Sequence, residues 1–305
     1  MQTATPDLNM SKITVSIGMP AYNSARTLRA SIECLLEQTF GDLELIISDN
    51  ASCDDTWPII QEYASRDARV VGLRQSQNIG ANGNYSAVFR AAKGRYFKWA
   101  SSNDWCAPDF LARCVAHLEA HSDVAMVAPR TRLFTDSPTD ASDYARDLSF
   151  DGVDAVERFM QVCQRLALNN VLNGVIRSEV LGRTRLIEHY PGADIVLVGH
   201  IALLGKIALL EDYLFYRRMD RETATQMMSK EDLLRHHYPR KTVRALFPAW
   251  RFMAGWSRAI RSANLPVKET RRALAWAIRM AYWRRADLQR DVLEALHYPL
   301  RGQSR

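Results

Sequence analysis

Short apolar runs alternate with stretches of helical periodicity through the first 130 residues of the chain. Each short apolar run predicts a buried strand, and apolar residues that recur every three or four positions predict a helix with one apolar face. Strands that alternate with helices are typical of a mostly parallel, doubly wound α/β sheet. The predicted strands cover residues 13–18, 43–48, 69–73, 95–100 and 124–128, and the predicted helices begin near residues 24, 54, 81 and 108.

The pattern is less regular after residue 130. Residues 131–150 are polar and rich in turn-forming residues, which indicates a surface excursion. We expect helices at 153–168 and 193–204, strands at 171–176 and 208–217, and helices from about 229 onward. These expectations divide the chain into an α/β domain (1–228, with halves 13–130 and 131–228) and a helical C-terminal extension (229–305).

Composition limits the location of the protein. Apolar residues make up 47% of the 305 residues, yet the sequence has no run of about 18 apolar residues that would predict a membrane-spanning helix. The polar N-terminus does not resemble a secretory signal. The five cysteines lack CxxC spacing, so we expect reduced thiols in the cytoplasm and no zinc site.

The positive charge is concentrated at the C-terminal end. Residues 239–305 contain 15 Lys and Arg against 4 Asp and Glu, although the whole chain carries a net charge of only +6. Arginines and aromatic residues interleave over 241–294, which suits an anionic membrane surface. Packing against the α/β domain or within a homodimer explains the pattern equally well. Nucleic acid is the least supported partner, because no nucleic-acid-binding module is visible.

Polar residues follow four of the predicted strands. In an open α/β sheet, ligands bind beyond the carboxyl ends of the strands, so these segments predict one shared site. A GxGxxG fingerprint and a Walker loop are both missing from the sequence, which argues against a dinucleotide oxidoreductase and a P-loop enzyme. The polar segments are Pro20-Ala21-Tyr22-Asn23, Ser48-Asp49-Asn50-Ala51-Ser52, Asn78-Ile79-Gly80 and Ser101-Ser102-Asn103-Asp104.

In order and spacing, these segments resemble the successive signatures of family 2 glycosyltransferases. The resemblance is specific over residues 13–130, looser to about 220, and does not reach the C-terminal extension. It implies a Rossmann-like GT-A fold and a nucleotide-sugar donor, typically a UDP-sugar. It further implies an inverting transfer to a hydroxyl group, assisted by Mg²⁺ or Mn²⁺.

The resemblance also implies roles for individual residues on the donor side. Pro20, Ala21 and Tyr22 would line the nucleoside pocket. Asp49 would accept a hydrogen bond from the base, since an ionised carboxylate only accepts. Gly80 would let the chain pass close to the donor. The other implied donor-binding residues are Asn23, Asn78, Lys98, Asn103, Arg217 and Arg218.

Asp104 would hold the metal ion that bridges the two phosphates, with Asp220 as a weaker second ligand. Asp104 stands alone, because Ser101, Ser102 and Asn103 occupy positions where the family usually has further aspartates. A helix-capping role for Asp104 stays open.

A base must also take the proton of the acceptor hydroxyl. The position of Asp194 at a helix start matches that of the family's base, although a carboxylate there also suits the helix dipole. Glu188 and Glu211 are weaker candidates, and His200 is expected to be packed inside its helix.

Acceptors in this family are often lipid-linked sugars at the inner leaflet. The sequence therefore predicts a cytoplasmic enzyme, peripheral to the plasma membrane, that extends a glycan or lipid-linked acceptor in polysaccharide or lipopolysaccharide synthesis. Two alternatives remain open. A scaffold that has lost catalysis would explain the lone Asp104, and a nucleotidyltransferase would also use a metal and a nucleotide on an α/β sheet.

Overall fold

A nine-stranded sheet forms the centre of the computed structural model, which describes residues 13–219 and 247–296. The strand order is β3-β2-β1-β4-β8-β6-β9-β5, and β7 pairs with β6. The strands are β1 (Val15–Ala21), β2 (Leu43–Asp49), β3 (Val70–Arg74), β4 (Tyr96–Trp99), β5 (Trp105–Cys106), β6 (Val124–Phe134), β7 (Ser142–Asp143), β8 (Val175–Arg177) and β9 (Lys206–Arg218). The helices are α1 (Ala25–Leu36), α2 (Thr56–Arg66), α3 (Ala81–Ala91), α4 (Phe110–Ala120), α5 (Ala155–Arg165), α6 (Ser178–Gly182), α7 (Ala193–Leu204), α8 (Pro248–Ser262), α9 (Val267–Trp283) and α10 (Arg285–Leu296).

Strands β1 to β4 are parallel neighbours joined by helices, as the alternating pattern predicts. Ala21 lies opposite Asp49, and Asp49 lies opposite Arg74 in the strand pairing. The carboxyl ends of β1, β2 and β3 therefore meet at one edge of the sheet. The predicted polar segments begin at this edge.

The second half of the sheet is mixed and differs from the predicted boundaries. Strand β6 continues through Phe134 and pairs with β9 along its length, so the predicted excursion at 131–150 begins too early. The predicted strand at 171–176 is wrong over its first part, where Asn170–Asn173 forms a 3₁₀ turn. Only Val175–Arg177 is extended. A β-carbon on Gly174 would lie 2.3 Å from the Val127 oxygen, so the turn sits directly against β6.

The described C-terminal helices pack against the α/β domain. Trp256, Ile260 and Trp276 are buried in the same apolar cluster as Phe97 and Trp99 of the sheet region. Packing, one of the two explanations for the aromatic pattern, therefore accounts for these residues. Other side chains of the three helices stay exposed, including Trp250, Ile278, Tyr282, Trp283, Leu293 and Leu296. In the ranges 13–219 and 247–296, no helix is long and apolar enough to cross a membrane.

Candidate functional site

Asp49, the last residue of β2, is completely buried. Its Oδ1 accepts a hydrogen bond from the Ser52 amide at 3.0 Å. Its Oδ2 is buried without a hydrogen-bond partner among the described residues, and the Nε of the exposed Arg74 lies 3.5 Å away. A buried acceptor without a donor is costly, so Oδ2 is suited to a ligand that brings an N–H group.

The turn after β1 lies beside Asp49. Ala21 is buried, Pro20 is partly buried, and Tyr22 exposes 49% of its surface at the rim. Asn23 has a positive φ of 49°, and its Oδ1 accepts a hydrogen bond from the Cys53 amide at 3.0 Å. Asn23 therefore ties the loops after β1 and β2 together.

Asn78 and Gly80 form the turn before α3. Asn78 Oδ1 accepts hydrogen bonds from Asn50 Nδ2 at 3.0 Å and from the Gly80 amide at 2.8 Å. Gly80 has a φ of 79°, a conformation that a residue with a β-carbon rarely adopts. These residues fix the course of the chain next to Asp49.

Asp104 precedes β5 and is bonded to the end of β9. Its Oδ1 accepts a hydrogen bond from the Arg218 amide at 2.9 Å. Burial raises the pKa of Asp104 to about 6, although the Arg218 amide and the positive charges of Arg217 and Lys98 act in the opposite direction. A cation at this carboxylate would favour its charged form.

Arg217 and Arg218 extend in different directions from β9. The Nη1 of Arg217 donates to Asn170 Oδ1 at 2.7 Å. The side chain of Arg218 donates to the backbone oxygens of Asn103 at 3.2 Å and Thr135 at 2.5 Å. Arg218 therefore holds the Asn103-Asp104 turn against β9, and Arg217 contacts the turn before β8.

Lys98 does not lie on the surface of the site. It is completely buried, and its Nζ donates to the backbone oxygens of Asn173 at 2.6 Å and Trp99 at 3.1 Å. Its Nζ also lies 4.4 Å from the centre of the Phe110 ring. The Lys98 ammonium group is therefore solvated by backbone oxygens within the core, and no part of its side chain is exposed to a ligand in this structure.

Asp194 lies in the first turn of α7, after Gly192 with a φ of 83°. Its Oδ2 accepts a hydrogen bond from Asn169 Nδ2 at 2.9 Å. The alternative Glu211 is mostly exposed and pairs with Arg130 at 2.6 Å. Glu188 pairs with Arg258 at 3.0 Å.

Glu188 therefore has a structural partner in α8. Although burial opposes the effect, Arg258 and Arg185 hold the pKa of Glu188 below its usual range. His200 is packed as expected, with 2% of its surface exposed. Burial, with Arg183 and Arg185 nearby, lowers the pKa of His200 to about 4.

Tyr85 of α3 connects the two sides of the site, and the sequence analysis missed it. Burial raises the pKa of Tyr85, and the charges of Asp104 and Asp194 add to this effect. A hydrogen bond with Ser101 and the charge of Arg217 oppose it. Asp104, Asp194 and Arg217 are therefore all near enough to this phenol to influence its ionisation electrostatically. The only signal in the sequence is that Tyr85 follows Gly80 by little more than one helical turn.

Asn169 and Asn170 were also missed. They precede β8, and their side chains contact Asp194 and Arg217, respectively. Adjacent asparagines in a turn carry no specific signal, because such residues are common in turns of every kind.

Asp104 offers one carboxylate to a metal ion that would take its remaining ligands from a substrate and water. Within the described part of the chain, no three His, Cys, Asp or Glu side chains form a metal-binding cluster. Mg²⁺ commonly takes one or two carboxylates and completes its shell with substrate phosphates and water. Asp104 supplies one carboxylate. Asp220, the expected second ligand, lies outside the described residues.

An open α/β sheet with polar and charged groups at the carboxyl ends of its strands defines an α/β protein with a candidate ligand site at that edge. Within that class, the chain belongs to glycosyl transferase family 2, because the model "Glycosyl transferase family 2" matches residues 16–180.

Two curated relatives are similar to part of the chain. The Escherichia coli UDP-Glc:alpha-D-GlcNAc-diphosphoundecaprenol beta-1,3-glucosyltransferase WfaP is 38% identical over 91 residues, which are 30% of this chain and 36% of that protein. Chondroitin synthase of Escherichia coli is 33% identical over 118 residues, which are 39% of this chain and 17% of that protein. The chain therefore spans well under half the length of either relative.

Solved structures show the same fold. Residues 1-349 of S. aureus TarS, crystallised with UDP, match with a TM-score of 0.62 at 14% identity, over 88% of this chain and 72% of that chain. The mannosyltransferase PcManGT from Pyrobaculum calidifontis, in complex with GDP-Man and Mn2+, matches with a TM-score of 0.52 at 16% identity, over 95% of this chain and 88% of that chain. The fold is accordingly of the GT-A type.

Proposed function

We propose that the protein transfers a sugar, with inversion, from a UDP-sugar to a hydroxyl of a glycan or lipid-linked acceptor. The observation that carries this proposal is a series of hydrogen bonds between the two sides of the site. Asp104 Oδ1 accepts from the Arg218 amide, and the adjacent Arg217 donates to Asn170. The neighbouring Asn169 donates to Asp194. Arg217 and Asp104 could then stabilise a departing diphosphate, and the Asp194 carboxylate could act as the catalytic base. The unpartnered Oδ2 of Asp49 favours a base with an N–H donor, such as uracil. The UDP named for WfaP and TarS supports the same donor class.

In the proposed reaction, Asp194 takes the proton of the acceptor hydroxyl while the oxygen attacks the anomeric carbon. The bond from that carbon to the diphosphate oxygen breaks on the opposite face, so the configuration inverts. Arg217 stabilises the negative charge on the departing diphosphate. Asp104, together with Asn103, would hold Mg²⁺ or Mn²⁺, which supplies further positive charge to the same leaving group.

The acceptor proposal includes a membrane surface. Ile278 and Tyr282 of α9 are 72% and 64% exposed, and Arg271 and Arg279 are exposed on the same helix. Apolar side chains among arginines suit the boundary of an anionic bilayer. We infer peripheral attachment at the inner face of the plasma membrane, where lipid-linked acceptors for cell-surface polysaccharides are presented. A homodimer through the same helices is the competing arrangement.

The proposed reaction is tested with a panel of UDP-, GDP-, CDP- and dTDP-sugars, Mn²⁺ and lipid-linked acceptors. We expect release of UDP and an inverted anomeric configuration in the product by NMR. Asp194→Asn should lower turnover by at least about a hundredfold, since acid–base catalysis contributes on the order of 10² to 10⁴. Asp104→Ala should also lower turnover strongly, because the metal ion that would stabilise the departing diphosphate loses its carboxylate. Asp67→Asn, a matched change at the opposite end of β3, should have no effect. Retained metal-dependent turnover in Asp104→Ala would contradict the role of Asp104.

A nucleotide-binding scaffold is the second candidate, favoured by the single carboxylate at the metal side. Ser102 Oγ donates to Ser24 Oγ at 2.8 Å, so this hydroxyl already has a role in the fold. Calorimetry separates the two proposals. A scaffold would bind UDP equally well with and without Mn²⁺ and would release no product, whereas a transferase would bind the donor more tightly with Mn²⁺. Diphosphate release from a nucleoside triphosphate would instead support a nucleotidyltransferase.

A further inference from the structure

We propose that Asn169 is a positioning residue that orients the Asp194 carboxylate for proton transfer. This inference rests on the proposed function and adds a residue to it. Asn169 lies between α5 and the 3₁₀ turn Asn170–Asn173, far from Asp194 in sequence. Its Nδ2 donates to Asp194 Oδ2 at 2.9 Å, and this contact joins the turn to the first turn of α7.

The orientation of the Asn169 amide follows from its partner. A carboxylate only accepts hydrogen bonds, so Asn169 must present its NH₂ group to Asp194. Its Oδ1 is then directed away, where it is buried and has no hydrogen-bond partner in the described ranges. An amide selected for the stability of the fold would satisfy both of its ends, since a buried unpaired oxygen destabilises the protein. The bond to Asp194 is therefore the contact that explains this side chain.

The hydrogen bond from Asn169 to one oxygen of the Asp194 carboxylate leaves the other oxygen for the acceptor. The two oxygens of a free carboxylate exchange by rotation, and a base must meet the acceptor hydroxyl at hydrogen-bond distance. With Oδ2 bound to Asn169, Asp194 keeps Oδ1 for the hydroxyl. Misplacement of a reacting group by about 1 Å can cost on the order of a hundredfold in rate. Asn169 thus acts on the rate through the orientation of Asp194.

The neighbouring residue gives the turn its rigidity. Asn170 is buried, accepts a hydrogen bond from Arg217 at 2.7 Å and donates one to Asp147 Oδ1 at 2.9 Å. Asp147 in turn accepts from the Thr131 amide of β6 at 2.6 Å. Two consecutive residues therefore contact the proposed base and the proposed phosphate-binding arginine. The turn sets the separation between the two sides of the site.

The test compares Asn169→Ala in two backgrounds. In the full-length wild-type chain, Asn169→Ala should lower kcat roughly tenfold to a hundredfold, with donor KM and UDP affinity unchanged. In the Asp194→Asn background, the same change should produce no further loss. Asn169→Gln, which keeps a donor, should recover part of kcat.

A matched control is Gln161→Ala, which removes an amide from α5 and should leave turnover unchanged. Equal losses from Asn169→Ala in both backgrounds would overturn the proposal, because the residue would then support the fold rather than Asp194. Unchanged kcat in Asn169→Ala would also overturn it. Full turnover in Asp194→Asn would instead remove the base from the proposed function. UDP affinity and thermal unfolding, measured on each variant, show whether the fold is intact, and Asn169→Gln decides the case if Asn169→Ala does not fold.

Discussion

At the scale of single residues, Asp49 combines complete burial with an unpartnered oxygen. Uracil offers an N–H at the position where cytosine has an acceptor nitrogen, so Asp49 should favour UDP over CDP. Asp49→Asn should weaken UDP binding about tenfold or more, since hydrogen bonds to charged groups contribute about 1.5–3 kcal/mol. Isothermal calorimetry with UDP and CDP measures both affinities.

The preference between the bases is the sharper readout of the Asp49→Asn experiment. An amide can donate to the cytosine nitrogen, so the ratio of UDP to CDP affinity should fall. Asp67→Asn again serves as the control, because Asp67 pairs with Arg69 at the opposite end of β3. An unchanged ratio would show that Asp49 does not contact the base.

The sequence indicates some of these residues and conceals others for a physical reason. Asp49 and Asp104 lie in short polar segments that follow apolar runs, and the ends of parallel strands meet at one sheet edge. Tyr85 and Asn169 lie in a helix and a turn, so only tertiary packing brings them to Asp194. Lys98 lies inside an apolar run, between Phe97 and Trp99. A resemblance in sequence does not show that its Nζ is bonded to two backbone oxygens inside the core.

At the scale of elements, α8 packs against the loop that leads into α7. Arg258 of α8 pairs with Glu188, and Tyr190 Oη donates to the same carboxylate at 3.2 Å. A β-carbon on Gly255 would lie 2.1 Å from Tyr190 Oη, and one on Gly192 would lie 3.0 Å from the Phe252 ring. The approach of Asp194 to the site therefore depends on small residues at this contact.

Gly255→Ala tests this contact. The added methyl group would overlap Tyr190, and we expect a loss of about 1–3 kcal/mol in the free energy of unfolding, the usual result of overpacking. Turnover should fall as well, because the loop before Asp194 must shift. Urea denaturation and kcat are measured together. Gly182→Ala is the matched control, since nothing lies within 4 Å of its added carbon; equal stability of the two variants would contradict the close contact.

The α7–α8 contact also predicts a pH dependence of stability. His200 of α7 lies 3.3 Å from Ser262 Oγ of α8, and its pKa is lowered from 6.5 to about 4 by burial, Arg183 and Arg185. The unfolded chain thus binds more protons between pH 6.5 and 4, so stability falls as the pH drops through this window. The whole shift corresponds to about 3 kcal/mol.

Urea denaturation at pH 7 and pH 4.5 measures the contribution of His200. His200→Gln removes the titrating group, so the variant should lose less stability than the wild type over this pH interval. Identical losses in the two proteins would show that the imidazole remains accessible to protons in the folded state.

At the scale of the whole molecule, basic and apolar side chains are exposed together on the C-terminal helices. Residues 247–296 contain ten Lys and Arg against four Asp and Glu. We expect the protein to float with vesicles that contain anionic phosphatidylglycerol at low salt and to detach at about 0.5 M salt, where charges are screened beyond a few ångströms. Neutral phosphatidylcholine vesicles should bind much less protein.

The variant Ile278→Asp should reduce flotation, because it places a charge in the apolar contact. Val153→Asp makes a similar change at a residue that is 93% exposed outside these helices, and it should have no effect. If Ile278→Asp floats normally but changes the mass measured by light scattering, the exposed face of α9 is a subunit interface and the membrane proposal fails.

The sequence predicts the strands and helices of the first half of the sheet more completely than those of the second half. Strands β1 to β4 and their helices follow from local periodicity, and β1, β2 and β3 also pair in chain order. Strands β6, β8 and β9 pair across long stretches of sequence, and β6 shifts register near Pro129 and Arg130. No local pattern specifies these pairings, which explains why the boundaries at 131–150 and 171–176 were misplaced.

The packing of α8 against the α/β domain limits how far the chain can be truncated. The family model ends at residue 180, and the sheet ends with β9 at residue 218. A fragment cut after the sheet would leave Glu188 without Arg258 and expose the apolar surface that Trp256 and Ile260 cover. Such a fragment should aggregate on expression. The smallest well-behaved piece is expected to retain the helices through residue 296.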